Sequence, residues 1–597
     1  MNGISAGVTQ LEVDRSLAGQ RWRFRPTDDR LAARIAQQSG LDDAVARVLA
    51  GRGVAAEHVD IFLNPSLRDS LPDPSRLRDM DMAAERIAAS ILAGERMAVF
   101  GDYDVDGATS SALLRRFCDA VGGNLRIYIP DRITEGYGPN APALERLAAE
   151  GVSLVITVDC GTLSFAPLEA AAAAGLEVVV VDHHKAGAEL PQALAVVNPN
   201  RLDEDASLGQ LAAVGVTFLL VIAVNRALRH AGWYQGGRAE PDLRQWLDLV
   251  ALGTVCDVVP LTGPNRAFVA QGLKVMAGRR NAGLAALSDV ARLTSAPAVY
   301  HLGFLLGPRV NAGGRVGEAG LGAALLTCDD ADAARGMAER LDLYNVERQA
   351  LEAEVEAAAI AALVGMHGAD GPAILSFAAG EGWHPGVIGI VASRLVERFG
   401  CPAVVIGIDD SGEAKGSARS IGGVDIGAAI LDAADHGLIE KGGGHAMAAG
   451  LTARSGSLDT LARYLEERLR DPVARAQAGR VLELDGALSV SGCTPELAGA
   501  LEALGPFGIG NPTPRFALPG VEVVKADIVG EKHVRAILAG GDGGRLKAIA
   551  FRAVDSDMGQ ALLRGVGQRF HAAGRLKQDD WGTTLRAELT LDDLARA

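Results

Sequence analysis

The chain has 597 residues, 48% of them apolar and 22% charged, a globular composition on a length too great for one hydrophobic core. Its net charge of −16 runs against a generally basic grip on nucleic acid. Its six cysteines (Cys118, Cys160, Cys256, Cys328, Cys401 and Cys493) are scattered with no CxxC pair, which excludes zinc ribbons and disulfide frameworks and fits a reducing cytoplasm.

Residues 1–80 predict a helical and irregular region, broken at Pro65, Pro72 and Pro74. No basic–apolar–small pattern opens the chain, so no signal peptide is expected. Apolar residues recur at helical spacing from Met82 to Leu92, and Met97–Phe100 then reads as a short buried strand ending in Gly-Asp. Two similar runs follow: Leu154–Val158 ends at Asp159, and Val178–Val181 ends at Asp182. Ala-rich helical stretches such as Ala166–Ala174 lie between them, and this alternation implies parallel βαβ units. The most apolar stretch, Leu211–Val224, is bounded by Asp205 and Arg226 and is short for a bilayer, so it predicts a buried helix and no membrane partner. Between Arg266 and Arg315 the basic residues are Arg266, Lys274, Arg279, Arg280, Arg292, Arg309 and Arg315, against the single acid Asp289. That is a local basic track inside an acidic total. A long charged helix is predicted over Ala331–Leu363, bridging two domains. A second α/β region runs from about Pro372 to Leu469, with strands expected at Ala373–Phe377 and Ala403–Ile408. From Val481 the pattern turns β-rich, in Val521–Val524, Val534–Leu538 and Leu585–Leu589, which suggests a small all-β barrel.

The chemistry sits where the first strands end. Asp102, Asp104 and Asp106 alternate in Gly101–Gly107, and alternate residues of an extended chain point the same way, so Asp104 and Asp106 are expected to reach one cation pocket with help from Asp102. Alone, the spacing fits a metal loop or a solvated turn. An EF-hand is excluded, because Leu113 stands where its twelfth-position Glu is required. Asp159 follows the second strand, and Asp182-His183-His184 follows the third. Asp257 lies near the end of a predicted helix in Leu252–Asp257. Sites in open α/β sheets form at the carboxyl ends of the strands. Crowded carboxylates repel one another unless cations neutralise them, and several Asp with His suit two divalent ions. Two such ions serve in-line displacement at phosphorus, so phosphoester hydrolysis leads; nucleophilic Ser or Cys catalysis has no comparable motif.

The motifs GDYDVDGATS, VDCGT, VDHH and ALGTVCDVVPL, in this order, resemble those of the DHH phosphoesterase superfamily. LGPRVNAGGR (Leu306–Arg315), GWHPGVIGIVASR (Gly382–Arg394), GSARS (Gly416–Ser420), GGGHAMAAG (Gly442–Gly450) and LGPFGIGNPTPRF (Leu504–Phe516) narrow the resemblance to the RecJ-type nucleases. It implies an α/β fold: a DHH domain with a parallel sheet (81–330), a connecting helix (331–365), a second α/β DHH-associated domain (366–475) and an OB-like barrel (476–597) after the N-terminal region 1–80. It implies metal ligands at Asp104, Asp106, Asp159, His183 and Asp257 for two Mn²⁺ or Mg²⁺ ions. His184 matches the residue contacting the scissile phosphate, and Asp102 and Asp182 match nearby motif positions, Asp102 and Asp159 being counted with His184 in the catalytic set. Arg309 and Arg315 are expected to track the strand, Ser417 and Arg419 to hold a 5′ phosphate, and the glycine-rich loop Gly442–His445 (Gly443, Gly444 and His445 above all) to approach phosphate through its backbone. Lys547 and Arg575 would add a phosphate track on the barrel. Some relatives carry His where this chain has Phe100, so one metal is expected to lack a ligand, and pyrophosphatase chemistry is disfavoured. The implied activity is 5′→3′ removal of 5′-mononucleotides from single-stranded DNA, in recombination and repair, through an entry too narrow for a duplex. Partners implied are single-strand-binding protein and a RecQ-type helicase. The alternatives are a DHH phosphodiesterase of short oligonucleotides or cyclic dinucleotides and a catalytically dead DNA-binding scaffold.

Overall fold

The computed structural model describes residues 11–132, 134–579 and 585–597. The chain divides into two compact units, Ser70–Ala478 and the N-terminal segment to Asp69 with Gly479–Ala597.

In the larger unit, β1 (Arg96–Gly101) leads into α1 (Val105–Val121), followed by β2 (Asn124–Tyr128), β3 (Leu154–Val158), β4 (Glu177–Val181) and β5 (Ala195–Val197). The sheet is wholly parallel in the order β2-β1-β3-β4-β5. Helices cover both faces, so Met97–Phe100, Leu154–Val158 and Val178–Val181 are buried along their whole length, as continuous apolar runs require. The order reverses between β1 and β3, which places the switch-point crevice of a doubly wound sheet beside Asp102 and Asp159. α2 (Ala213–His230) is long and apolar enough to cross a membrane by length and composition, but 72% of its apolar window is buried inside the fold, where it packs on α1. α3 (Leu247–Cys256) packs on α1 as well, and α4 (Gly307–Val316) follows a π-helical turn at Leu302–Leu306.

α5 (Ala331–His367), 37 residues and about 55 Å long, packs on α4 at one end and on the second α/β layer at the other. That layer holds β6 (Ser376–Glu381), α6 (Ile388–Phe399), β7 (Ala403–Ile408), β8 (Glu413–Arg419), β9 (Lys441–His445) and β10 (Ala448–Arg454), in the sheet order β9-β10-β8-β7-β6. The expected strand at Ala373–Phe377 is displaced. Parallel pairing sets Ser376 opposite Ala403 and Glu381 opposite Ile408, so the partner strand draws the weak β-formers Ala379, Gly380 and Glu381 into the ladder.

In the smaller unit, Phe516–Val529, His533–Ala539, Arg545–Ala550, Arg586–Arg596 and Arg569–Asp579 pair in that order, and the last pairs back with the first to close a five-stranded barrel. The N-terminal segment is part of this unit. Arg21–Phe24 forms a strand parallel to Val481–Leu484, and Trp22 Nε1 donates to the buried Asp593 Oδ2 at 2.9 Å. Ile35, Val45, Val48 and Leu49 share one core with Leu497, Phe516, Val534 and Leu589. Each such aliphatic side chain contributes about 1.5–3 kcal/mol on burial, and four together rival a domain's whole net stability of about 5–15 kcal/mol. Residues 479–597 expressed alone are therefore expected to lack a cooperative thermal transition, whereas a separately folded barrel in circular dichroism melts would contradict this.

Candidate metal centre

The segment after β1 does not stay extended. Asp104 is the N-cap of α1, its Oδ1 accepting from the N–H groups of Asp106 (2.9 Å) and Gly107 (3.1 Å). Asp106 therefore lies in the first helical turn, and the alternation expected of a strand is replaced by a helix start. Gly107 is needed there, since a Cβ would lie 2.4 Å from the Asp102 carbonyl oxygen. Asp106 is buried against the start of α2, where it accepts from the N–H groups of Ala213 (2.6 Å) and Val214 (2.9 Å). Asp159 follows β3 with φ 61°, a left-handed conformation, and Tyr137 Oη donates to its carbonyl at 2.9 Å. Asp257 caps the C-terminus of α3.

The two histidines after β4 have different surroundings. His183 Nδ1 lies 3.1 Å from the Leu211 carbonyl, which can only accept, so Nδ1 carries the hydrogen and the Nε2 lone pair is left 3.3 Å from Asp159 Oδ1. Burial and the neighbouring His184 lower His183 to about 4, so it is neutral. Asp182 Oδ1 accepts from His183 N (2.7 Å), His184 N (3.1 Å) and His184 Nδ1 (2.8 Å), and Oδ2 accepts from Thr162 N (3.0 Å). Burial alone would raise Asp182, but these donors, His184 first, hold it well below the usual carboxylate range. Burial would likewise lower His184, and the bond to Asp182 reverses that.

Ligand atoms from these elements meet in three overlapping groups, each within 4.8 Å: Asp159, His183 and His184; Asp106, His183 and Asp257; Asp102, Asp104 and Asp159. Phe100 is fully buried in the core against Tyr128, and Asp102 supplies the third carboxylate beside Asp104 and Asp159. Phe100 thus offers no ligand atom, and the group that Asp104 and Asp159 form is completed by Asp102 in the same motif. The donor set fits divalent cations on its own chemistry. Asp102 Oδ1, His183 Nε2 and Asp257 Oδ2 are buried without any hydrogen-bond partner, a costly state for groups that a cation would satisfy.

Crowding shows in the acidities. Burial, then Asp104, pushes Asp106 up to about 7; burial, then Asp106, pushes Asp257 up to about 9. Asp102 and Asp159 rise for the same reasons, burial first. A carboxyl raised in the folded state stabilises the fold below its ordinary value near about 4 and loses that contribution as pH climbs through the raised value. Metal-free protein should therefore lose stability as pH rises through about 7 and on towards about 9, and a divalent ion should restore it. The rise in Tm on adding Mn²⁺ is expected to be larger at about pH 8.5 than at about pH 6, and equal rises would contradict this.

A cleft of about 720 Å³ opens between the two α/β layers, lined by Arg132, Arg315, Gly386, Lys415, Ser417, Arg419 and Gly442 among others. Arg419 Nη1 donates to Ser417 Oγ at 3.0 Å, and the first turn of α6 lies against both, since a Cβ on Gly389 would be 3.0 Å from each side chain. A helix N-terminus, a hydroxyl and several guanidinium groups facing one space favour an anion. Arg315 belongs here, but Arg309 does not line the cleft; it is tied to Asp342 (2.8 Å) and the Leu305 carbonyl (2.7 Å). The basic track breaks up in the same way, with Arg266 buried and Arg279 paired to Asp289. Gly442–His445 is strand β9 rather than a loop, because its backbone pairs with β10, and Gly443, Gly444 and His445 continue that strand past the cleft lining. On the barrel, Lys547 is paired with Asp579 and Glu588, and Arg575 with Asp592, so neither is an open phosphate track. Arg132 and Tyr137, which the sequence reading passed over, stand in Asp131–Gly138 just after β2; their strand-end position was the available signal.

The "DHH family, N-terminal domain" model matches residues 96–254, the DHHA1 domain 370–471 and the RecJ OB domain 484–593. The single-stranded-DNA-specific exonuclease RecJ of Dickeya dadantii is 37% identical over 537 residues, 89% of this chain and 92% of that protein. The crystal structure of Thermus thermophilus RecJ in complex with Mn²⁺ aligns at TM-score 0.80 and 29% identity, over 96% of this chain and 79% of that one. Its Mg²⁺ complex aligns at 0.73 and 27%, over 96% and 78%. With a relative so similar along nearly its whole length and all three domain types in order, the chain belongs to the RecJ family of DHH-domain proteins.

Proposed function

We infer that this chain is a metal-dependent exonuclease specific for single-stranded DNA, working from the 5′ end and releasing 5′-mononucleotides. The observation that carries the reading is the pairing, within one unit, of a carboxylate–histidine cluster with a cleft lined by arginine and lysine side chains, which suits a terminal phosphate. The family membership and the named substrate of the relatives agree with it.

In the proposed site, Asp102, Asp104 and Asp159 would hold one divalent ion, and Asp106, Asp159, His183 and Asp257 a second, as Mn²⁺ or Mg²⁺. Bound there, such ions supply Lewis-acid activation of water and neutralise charge building at phosphorus. Tyr137 pins the Asp159 backbone, and the Leu211 carbonyl keeps the His183 lone pair turned to the carboxylates. Asp182 holds the Nδ1–H of His184, leaving Nε2 of that ring for the scissile phosphate. Ser417, Arg419, Arg315 and Arg132 receive the 5′ phosphate. Water adds to the first internucleotide phosphorus and the bond to the 3′ oxygen breaks. The mononucleotide leaves, and the shortened strand again begins with a 5′ phosphate that suits the same cleft. We place this activity in DNA recombination and repair, in the cytoplasm, where the six free cysteines stay reduced. The proposed partners are a single-strand-binding protein and a RecQ-type helicase, whose action exposes the strands consumed.

The test uses single strands labelled at either end, with Mn²⁺. A 5′ label should appear at once as mononucleotide, while a 3′ label should shorten stepwise. Mononucleotide released from the 3′ end would refute the polarity.

A further inference from the structure

The cleft and the metal cluster are joined by one line of contacts that neither site explains. His384 Nδ1 accepts the N–H of Gly386 at 3.0 Å, so this nitrogen carries no hydrogen. The Gly386 carbonyl in turn accepts from Arg315 Nη1 at 3.0 Å. A Cβ on Gly386 would lie 2.5 Å from the Arg315 carbonyl oxygen, so only glycine allows this approach. Arg315 lies in the last turn of α4, which rests directly on the Asp102–Asp106 loop. A Cβ on Gly314 would stand 2.6 Å from the Tyr103 carbonyl oxygen, and Asn311 Oδ1 accepts from Val105 N at 3.2 Å. The series therefore runs from the Asp102–Asp106 loop, through α4, to the turn that enters α6.

The electrostatics give this chain of contacts a purpose. Burial and the neighbouring Arg132 lower Arg315 to about 10, with Arg348 and Arg419 adding to the repulsion and Asp104 only partly opposing it. A guanidinium among like charges drifts apart from them unless something holds it. A carboxylate would hold it but would also cancel its charge; a backbone carbonyl holds it and leaves the charge for a phosphate. Gly386 plays that part only if its own turn is rigid, and the bond to His384 makes it so. His384 itself stands among Arg132 of the first layer and Glu347 of α5.

We propose that His384 is a positioning residue: by fixing the Gly386 carbonyl it holds Arg315 in the cleft and keeps the terminal-phosphate site one nucleotide from the metal cluster. This rests on reading the cleft as the 5′-phosphate site. The full chain, with Mn²⁺, is assayed on 5′-phosphorylated and 5′-hydroxyl single strands as wild type, His384→Ala, His384→Asn and Gly386→Ala. His384→Ala and Gly386→Ala should raise KM for the phosphorylated strand about tenfold, leave kcat within about twofold, and release dinucleotide beside mononucleotide. His384→Asn, whose Oδ1 takes the place of Nδ1, should behave as wild type. Should His384→Ala prove unstable in a thermal melt, the comparison of Gly386→Ala with His384→Asn carries the result. Wild-type preference for the phosphorylated end with unchanged KM and products in His384→Ala and Gly386→Ala overturns the brace, as does equal loss in His384→Asn. A wild type indifferent to the 5′ phosphate overturns the cleft reading beneath it.

Discussion

Exchanging Asp159 for asparagine is expected to cut kcat on single-stranded DNA by about a thousandfold or more while the protein stays folded. Asp159 is the residue shared by the group with His183 and His184 and by the group with Asp102 and Asp104, so its loss weakens both proposed ion positions. Asparagine is the right replacement because the residue sits at φ 61°, where Asn is tolerated and a bulkier or β-branched side chain is strained. The variant also removes one of several mutually repelling buried carboxyls. Its Tm in a chelating buffer should match or exceed that of the wild type, while the stabilisation by Mn²⁺ should largely vanish. A variant keeping a tenth of the activity would remove Asp159 from the reaction.

Replacing Arg419 with alanine should raise KM for 5′-phosphorylated strands about 10- to 100-fold, the worth of a charge-assisted hydrogen bond or two, with kcat little changed. Arg419 holds Ser417 and faces the start of α6, so the same change should bring 5′-phosphorylated and 5′-hydroxyl strands to similar KM values. Steady-state kinetics on the two substrates decide it. A fall in kcat with unchanged KM would place Arg419 with the chemistry instead of the grip.

The site was legible in the sequence wherever a local rule applied. An apolar run followed by Asp or His marks a strand end, and three such ends in a parallel sheet converge whatever the intervening helices contain. Local rules failed where a partner element decided the outcome. Asp104 and Asp106 alternate as in a strand, yet the N-cap bonds of Asp104 start a helix there. Gly442–His445 reads as a loop, yet pairing with β10 makes it a strand. Lys547, Arg575 and Arg309 read as open cations, yet each meets a carboxylate distant in the chain.

By itself, then, the sequence determined the parallel sheet, the long helix, the barrel and the identity of the acidic and imidazole groups at the strand ends, because periodicity and strand-end chemistry are properties of neighbouring residues. Only the tertiary structure decided that Asp102 lies within reach of Asp104 and Asp159, that the N-terminal segment shares the barrel core, and which arginines line the cleft. Each of these depends on residues brought together from far along the chain, and the energy of burying a charge or an apolar side chain is set by those neighbours, not by the order of the letters.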